Sequence, residues 1–163
     1  MMQGKIFNFD DQLQIGDVGE SDFIKVYEKL EPKKSMSDFK FDFLLNNGKT
    51  IELKTDSYDM RKTPNFFVEQ FTVSGKRKIL GGPWRSKEHK VDYFVYYFIK
   101  NKIFFWFSPT DLCEFLDKFI EENELTPISI PNKDKNGGYY EALGFKIPRG
   151  SVKSVLLKEH KYE

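Results

Sequence analysis

Asp42, Glu52 and Lys54 are the residues whose types and spacing suggest chemistry. They lie in DFLLNNGKTIELK, residues 42–54, a stretch that doubles back at Asn46-Asn47-Gly48. Asn and Gly tolerate the positive φ that tight hairpin loops need. A two-residue loop at Asn47-Gly48 would set Asp42 against Leu53 and mix apolar with charged side chains on both faces. A three-residue loop, a type I turn closed by Gly48 in the left-handed region, pairs Leu44 with Thr50, Phe43 with Ile51, Asp42 with Glu52 and Phe41 with Leu53. The faces then sort. Phe39, Phe41, Phe43, Ile51 and Leu53 point to the core, and Asp38, Lys40, Asp42, Thr50, Glu52 and Lys54 point away from it. Two carboxylates directly opposite repel each other. A divalent cation bound by their oxygens would relieve the repulsion, with Lys54 one pleat further along the same face. The same residues also make an ordinary solvated hairpin face, neutralised by Lys40 and Lys54. The hairpin alone leaves both readings open.

The elements around the hairpin must hold it in place. Before it, ESDFIKVYEKLEPKK carries Phe23, Ile24, Tyr27 and Leu30 at helical spacing, and Pro32 stops that helix. After it, NFFVEQFTV (65–73) reads as a third strand with Glu69 in its middle, facing either the acids or solvent. Residues 74–90 read as a loop around Gly81-Gly82-Pro83 with one helical turn. VDYFVYYFI and IFFWFS pair as an aromatic hairpin across Lys100-Asn101. SPTDLCEFLDKFIEENEL is a helix, capped by Ser108, with Pro109 first, Asp111 completing a capping box, and a stripe of Leu112, Phe115, Leu116, Phe119 and Ile120. TPISIP, YYEALGFKIP and SVKSVLLKEH read as short strands around Asn136-Gly137-Gly138, the last compatible with a helix as well.

The chain has 163 residues, 39% hydrophobic and 17% aromatic, enough for one domain with a large core. Its net charge of +1 gives no global field for a polyanion, so any nucleic-acid contact needs a local patch. The single Cys113 excludes a disulfide framework and a thiolate zinc cluster. No signal-peptide pattern and no apolar run of about 18 residues is present, which predicts a cytosolic protein with no membrane partner.

A helix followed by a hairpin with Asp42, nine intervening residues and then Glu52-Leu53-Lys54 resembles the PD-(D/E)xK nucleases. Within them the chain is similar to small phage endonucleases of the endonuclease I type, which resolve Holliday junctions. The resemblance covers residues 16–73. It implies a restriction-endonuclease-like α/β domain over 1–163, in which an N-terminal helix precedes a mixed sheet of about five strands flanked by helices. It also implies a divalent-metal-dependent DNA endonuclease, with Mg²⁺ or Mn²⁺ as cofactor. Asp42, Glu52 and the Leu53 backbone carbonyl would be metal ligands, Glu20 an auxiliary carboxylate, and Lys54 the residue that positions or deprotonates water. DNA is the implied partner, a homodimer is compatible with two-strand cutting, and phage encoding is suggested. The rivals are a catalytically silent nucleic-acid-binding module on the same fold and a protein-interaction domain that uses aromatic surface.

Within 74–90, Lys76, Arg77, Lys78, Arg85, Lys87 and Lys90 stand against one acid, Glu88, making this the foremost phosphate-contact segment. Arg61 and Lys62, with Tyr58, add a second cationic stretch. Trp84 reads as core cover, Cys113 as inert packing, and Asp38, Asp56 and Asp59 as turn residues and solvating charges. Glu69 is held as an auxiliary ligand. His89 and His160 are too isolated for a zinc or HNH-type site, and no phosphate-binding glycine loop occurs.

Overall fold

The computed structural model describes residues 7–36, 40–133 and 138–163; Asp38, Phe39, Asn136 and Gly137, used in the reading above, lie outside them. In chain order the elements begin with β1 (Phe7–Asn8), α1 (Phe9–Val26), β2 (Lys33–Lys34), β3 (Phe43–Leu44) and β4 (Thr50–Asp56). Next come β5 (Asn65–Ser74), β6 (Arg77–Leu80), α2 (Gly82–Glu88), β7 (Tyr93–Phe98), β8 (Ile103–Phe107) and α3 (Pro109–Glu122). The chain closes with β9 (Ile128–Lys133), β10 (Tyr139–Pro148) and β11 (Leu156–Lys161).

The class is mixed α/β, as expected, with an N-terminal helix. The expected mixed sheet is present with six strands, and a second sheet of five strands accompanies it. One sheet runs β11-β8-β7-β4-β3-β2 and the other β1-β9-β10-β5-β6. β5 therefore does not extend the acid-bearing hairpin; it pairs antiparallel with β10 and β6. β4 instead lies parallel to β7, with Glu52 beside Phe94 and Lys54 beside Tyr96. A parallel pair requires a crossover, and β5, β6 and α2 form it. Residues 74–90 are thus a strand and a helix, not a loop.

The aromatic strands explain this layout. The first sheet is covered on both faces, so its central strands carry no polar alternation. Phe94, Tyr96 and Phe98 of β7 join Phe105 and Phe107 of β8 in a core under α2, α3 and the second sheet, while Val95 and Tyr97 join Phe104 and Trp106 in a core under α1. α3 behaves as read: the Ser108 hydroxyl accepts from the Asp111 amide at 3.4 Å, and its apolar stripe packs on the first core. The last segment is a short 3₁₀ turn followed by β11, which settles the strand-or-helix alternative.

α1 differs from the expectation at both ends. It starts at Phe9, runs through Gly16 and Gly19, and ends at Val26, before Pro32. Phe23, and Tyr27 just past its end, still anchor it, Phe23 stacked on Phe43 and both rings packed against Phe104 and Trp106. Gly19 lets the helix lie directly on β4: a Cβ there would sit 1.9 Å from Thr55 Oγ1 and 2.8 Å from Thr55 Cβ. Turning the Thr55 side chain cannot relieve the second contact. At Gly16 a Cβ would meet nothing within 4 Å.

Two glycines of one helix should therefore respond with opposite sign. Gly16→Ala is expected to raise stability by about 0.5–1 kcal/mol through helix propensity. Gly19→Ala should lower it by about 1–3 kcal/mol through overpacking against β4. Urea denaturation of the two variants checks the pair, and equal effects would place α1 further from β4.

Candidate active site

The hairpin register is the three-residue-loop register: Phe43 faces Ile51 and Leu44 faces Thr50. Gly48 has φ +82°, and its amide donates to the Leu45 carbonyl at 3.0 Å. Phe43 and Ile51 are fully buried, and Leu53 packs against the same core. Regular pairing stops at Phe43. The Asp42 amide reaches the Ile51 carbonyl at 2.8 Å, and the Asp42 carboxylate accepts the Leu53 amide at 2.7 Å. In a continued ladder that amide would bond the Phe41 carbonyl, so a side chain replaces a strand. Phe41 is corrected accordingly: it is half-buried and lines the acidic cleft instead of entering the core.

That cleft, about 300 Å³, is lined by Glu20, Lys34, Phe41, Asp42, Glu52 and Arg85, with Ser35 and Met36 at its side. Three acids from α1, the hairpin arm and β4 thus share one space. Glu20 is ion-paired with Lys34 at 3.1 Å. Glu52 accepts a short hydrogen bond from the hydroxyl of Ser86, which is completely buried. Burial pushes the Asp42 carboxyl up to about 6, against the Leu53 hydrogen bond that lowers it, with Glu20 raising it further and Arg85 opposing. Burial likewise pushes Glu52 up to about 7, offset by the Ser86 hydrogen bond and Arg85 and reinforced by Asp42 and Glu69. Among the described residues, no group of three or more His, Cys, Asp or Glu side chains is assembled as a metal cage.

Ser86 and Arg85 reach the cleft because α2 starts where it does. Gly82 has φ +53°, and a Cβ on it would lie 2.2 Å from the Glu69 carbonyl oxygen; at Gly81 a Cβ would meet the Glu69 side chain at 3.2 Å. Only glycine lets the helix begin this close to β5. Ser86 was not singled out in the sequence. A serine inside a presumed charged loop gives no signal until the loop is known to be a helix.

Glu69 faces the site, not solvent. It acts electrostatically on Glu52 and accepts a 2.6 Å hydrogen bond from Thr72. It shares with Lys54 a neighbouring cavity of about 150 Å³, also lined by Tyr58, Tyr96 and Asn132. Lys54 thus stands on the Glu52 face of β4 but opens into this second cavity instead of the acidic cleft. Asp56 is corrected: it is buried and accepts from the Tyr96 hydroxyl and the Tyr58 amide. Asp59 is a turn residue, bonded to Arg61 and Asn101, which hold its carboxyl well below the usual range.

The cationic segment divides. Lys76, Arg77 and Lys78 are exposed around the β5–β6 hairpin, Lys87 is exposed on α2, and Arg85 turns into the cleft. Arg61 and Lys62 are exposed beyond β4. Trp84 is buried in the core and donates to Asp117 at 2.9 Å. Cys113 is buried, its thiol pushed up to about 12 by burial. His160 bonds the Tyr27 hydroxyl at 2.7 Å. No helix of the described residues is long and apolar enough to cross a membrane.

No family model and no curated protein matches the chain. Among solved structures it is similar to the bacterial homing endonuclease I-Ssp6803I, at 19% identity over 62% of this chain and 71% of that one, with a TM-score of 0.46. Any functional conclusion therefore rests on the site's own geometry.

The acid pair fixes a pH dependence. Both carboxyls bind protons more tightly folded than unfolded, so their contribution to stability is full below about pH 4 and is lost as pH rises through about 6 and 7. In EDTA, Asp42→Asn/Glu52→Gln should gain on the wild type by on the order of 3 kcal/mol between pH 4 and pH 8. Urea melts at both pH values check this. A constant difference would mean that the acids are solvated.

Proposed function

We propose that the protein is a divalent-metal-dependent DNA endonuclease of the PD-(D/E)xK type, which hydrolyses phosphodiester bonds at the Asp42–Glu52 cleft. The observation that carries this reading is the pair itself: two carboxylates confined in one cleft, both resisting ionisation, beside a half-buried arginine. A protein gains no stability from such a pair without a cationic ligand. The donors are hard oxygens, which suit Mg²⁺ or Mn²⁺.

Asp42 and Glu52 would hold the metal. The Leu53 carbonyl is the third candidate, because in an extended strand it points to the same side as the Leu53 amide, where β3 has left the ladder. Glu20 would assist, bound through Lys34 at the cleft wall. A bound divalent ion would supply a nucleophilic hydroxide at neutral pH and neutralise phosphoryl charge.

The chain's own residues have separate tasks. Ser86 fixes one Glu52 oxygen and leaves the other for the cation. Arg85 places a cation where a phosphoryl oxygen would enter. Lys54, one pleat past Glu52, would orient or deprotonate the attacking water, and Glu69, restrained by Thr72, lines the same cavity as Lys54. Lys76, Arg77, Lys78, Lys87, Arg61 and Lys62 would contact backbone phosphates outside the cleft. The mixed fold, with a helix in the crossover between parallel β4 and β7, supports this reading. Action on branched DNA, a phage role, a cytoplasmic location and a homodimer belong to the same proposal.

Incubation of linear, nicked and four-way-junction DNA with Mg²⁺, Mn²⁺, Ca²⁺ or EDTA tests it. Cleavage is expected in Mg²⁺ or Mn²⁺. Asp42→Asn and Glu52→Gln should abolish it while DNA binding survives, and Ser86→Ala should slow it roughly 10–100-fold, as loss of an orienting partner does. Metal-independent binding without cleavage in any condition would make the protein a silent binding module.

A further inference from the structure

Beyond the C-terminal end of β4 lies a groove of about 720 Å³ that the acidic cleft does not include. Its walls carry Arg61, Lys100, Lys102, Arg149 and Lys161 against one acid, Glu163, and Ile103 and Tyr162 form its floor. Two of the five cations are committed. Arg61 pairs with Asp59 at 2.8 Å, and Arg149 donates to the carbonyls of Met60, Thr63 and Asn65 while its guanidinium covers the Phe98 ring. Lys100, Lys102 and Lys161 are exposed. Lys102 has left-handed geometry, φ +54°, in the β7–β8 turn, and Lys161 sits across the ladder from Ile103. Three ammonium groups are thus gathered from two separate elements.

We propose that this groove is a second binding site, for the phosphodiester backbone of the nucleic acid whose scissile bond lies at the acidic cleft. The proposal rests on the nuclease reading for that last clause only. The chemistry of recognition is that of a polyanion: point charges without a deep pocket, on a partly apolar floor. Position favours a linear polyanion over a single anion. β4 leads from Glu52 through Lys54 and Asp56 toward the groove, and at about 3.3 Å per residue its Glu52–Asp56 stretch covers roughly 13 Å. A backbone spanning the cleft and the groove would pass over the surface outside this stretch, whose Asp56 is itself buried. With 26 Lys and Arg against 25 Asp and Glu the chain has no global field for a polyanion, so contact depends on local clusters of this kind.

The test uses Lys100→Glu/Lys102→Glu/Lys161→Glu in the full chain. A charge-matched control carries Lys29→Glu/Lys118→Glu/Lys146→Glu at exposed positions elsewhere. Binding of a labelled oligonucleotide, single-stranded and duplex, is followed by anisotropy in EDTA across a salt series. The groove variant should bind at least about tenfold more weakly than the control, and its log–log salt slope should fall by about 2, for two to three lost phosphate contacts. Equal weakening in both variants overturns the groove, whatever the cleavage assay shows. Wild-type binding to anionic phospholipid vesicles but to neither DNA form overturns it as well, as does no binding at all. If the groove variant loses binding while wild-type protein cleaves nothing, the groove stands and the nuclease reading fails.

Discussion

The structure turns on the cost of holding Asp42 and Glu52 together in a partly buried cleft. Burial raises both carboxyls, Glu20 raises Asp42 further, and Asp42 in turn raises Glu52. Every neighbouring feature answers that cost. β3 leaves the ladder so that Asp42 can accept the Leu53 amide, α2 is brought in to give Glu52 the Ser86 hydroxyl, and Arg85 adds a cation. These hydrogen bonds lower the two acids without returning either to its ordinary value. A site that compensates its charges incompletely is poised for an outside cation.

Such a site needs a stiff support. The neighbouring strand β7 supplies it, because Phe94 and Tyr96 stand beside Glu52 and Lys54 in the parallel register. A completely buried aromatic side chain contributes on the order of 2 kcal/mol, and the first sheet buries them on both faces. The stacked Tyr97–Phe104 pair, with ring centroids 3.9 Å apart, and the Tyr97–Asp22 hydrogen bond tie α1 to the same sheet. Glu20, two residues before Asp22 on α1, is therefore carried to the cleft by the helix that seals the far core.

Much of this is legible in the sequence where local chemistry decides it. Asn46-Asn47-Gly48 dictates the register, Ser108-Pro109 the start of α3, and the unbroken aromatic runs a sheet buried twice. The rest depends on contacts distant in the chain. NFFVEQFTV looks like a third strand of the hairpin sheet, since nothing local distinguishes pairing with β4 from pairing with β10. Gly81-Gly82-Pro83 reads as a loop, because the reason for its glycines is Glu69, its side chain at Gly81 and its backbone at Gly82, twelve and thirteen residues upstream. Asp56 looks solvated until Tyr96, forty residues later, is seen to donate to it. A local register places Asp42 and Glu52, whereas only the crossover places Ser86.

The crossover also couples folding to function. The pairing of β4 with β7 is non-local, since it closes the chain over β5, β6 and α2. α2 brings Ser86 and Arg85 to the cleft in that same closure, while the Gly82 approach to Glu69 sets how far the helix can advance. The acids on the hairpin can come together locally, but their partners arrive only with the completed sheet. An assembled cleft is thus a property of the whole fold, and a partly folded chain presents Asp42 and Glu52 as ordinary solvated acids.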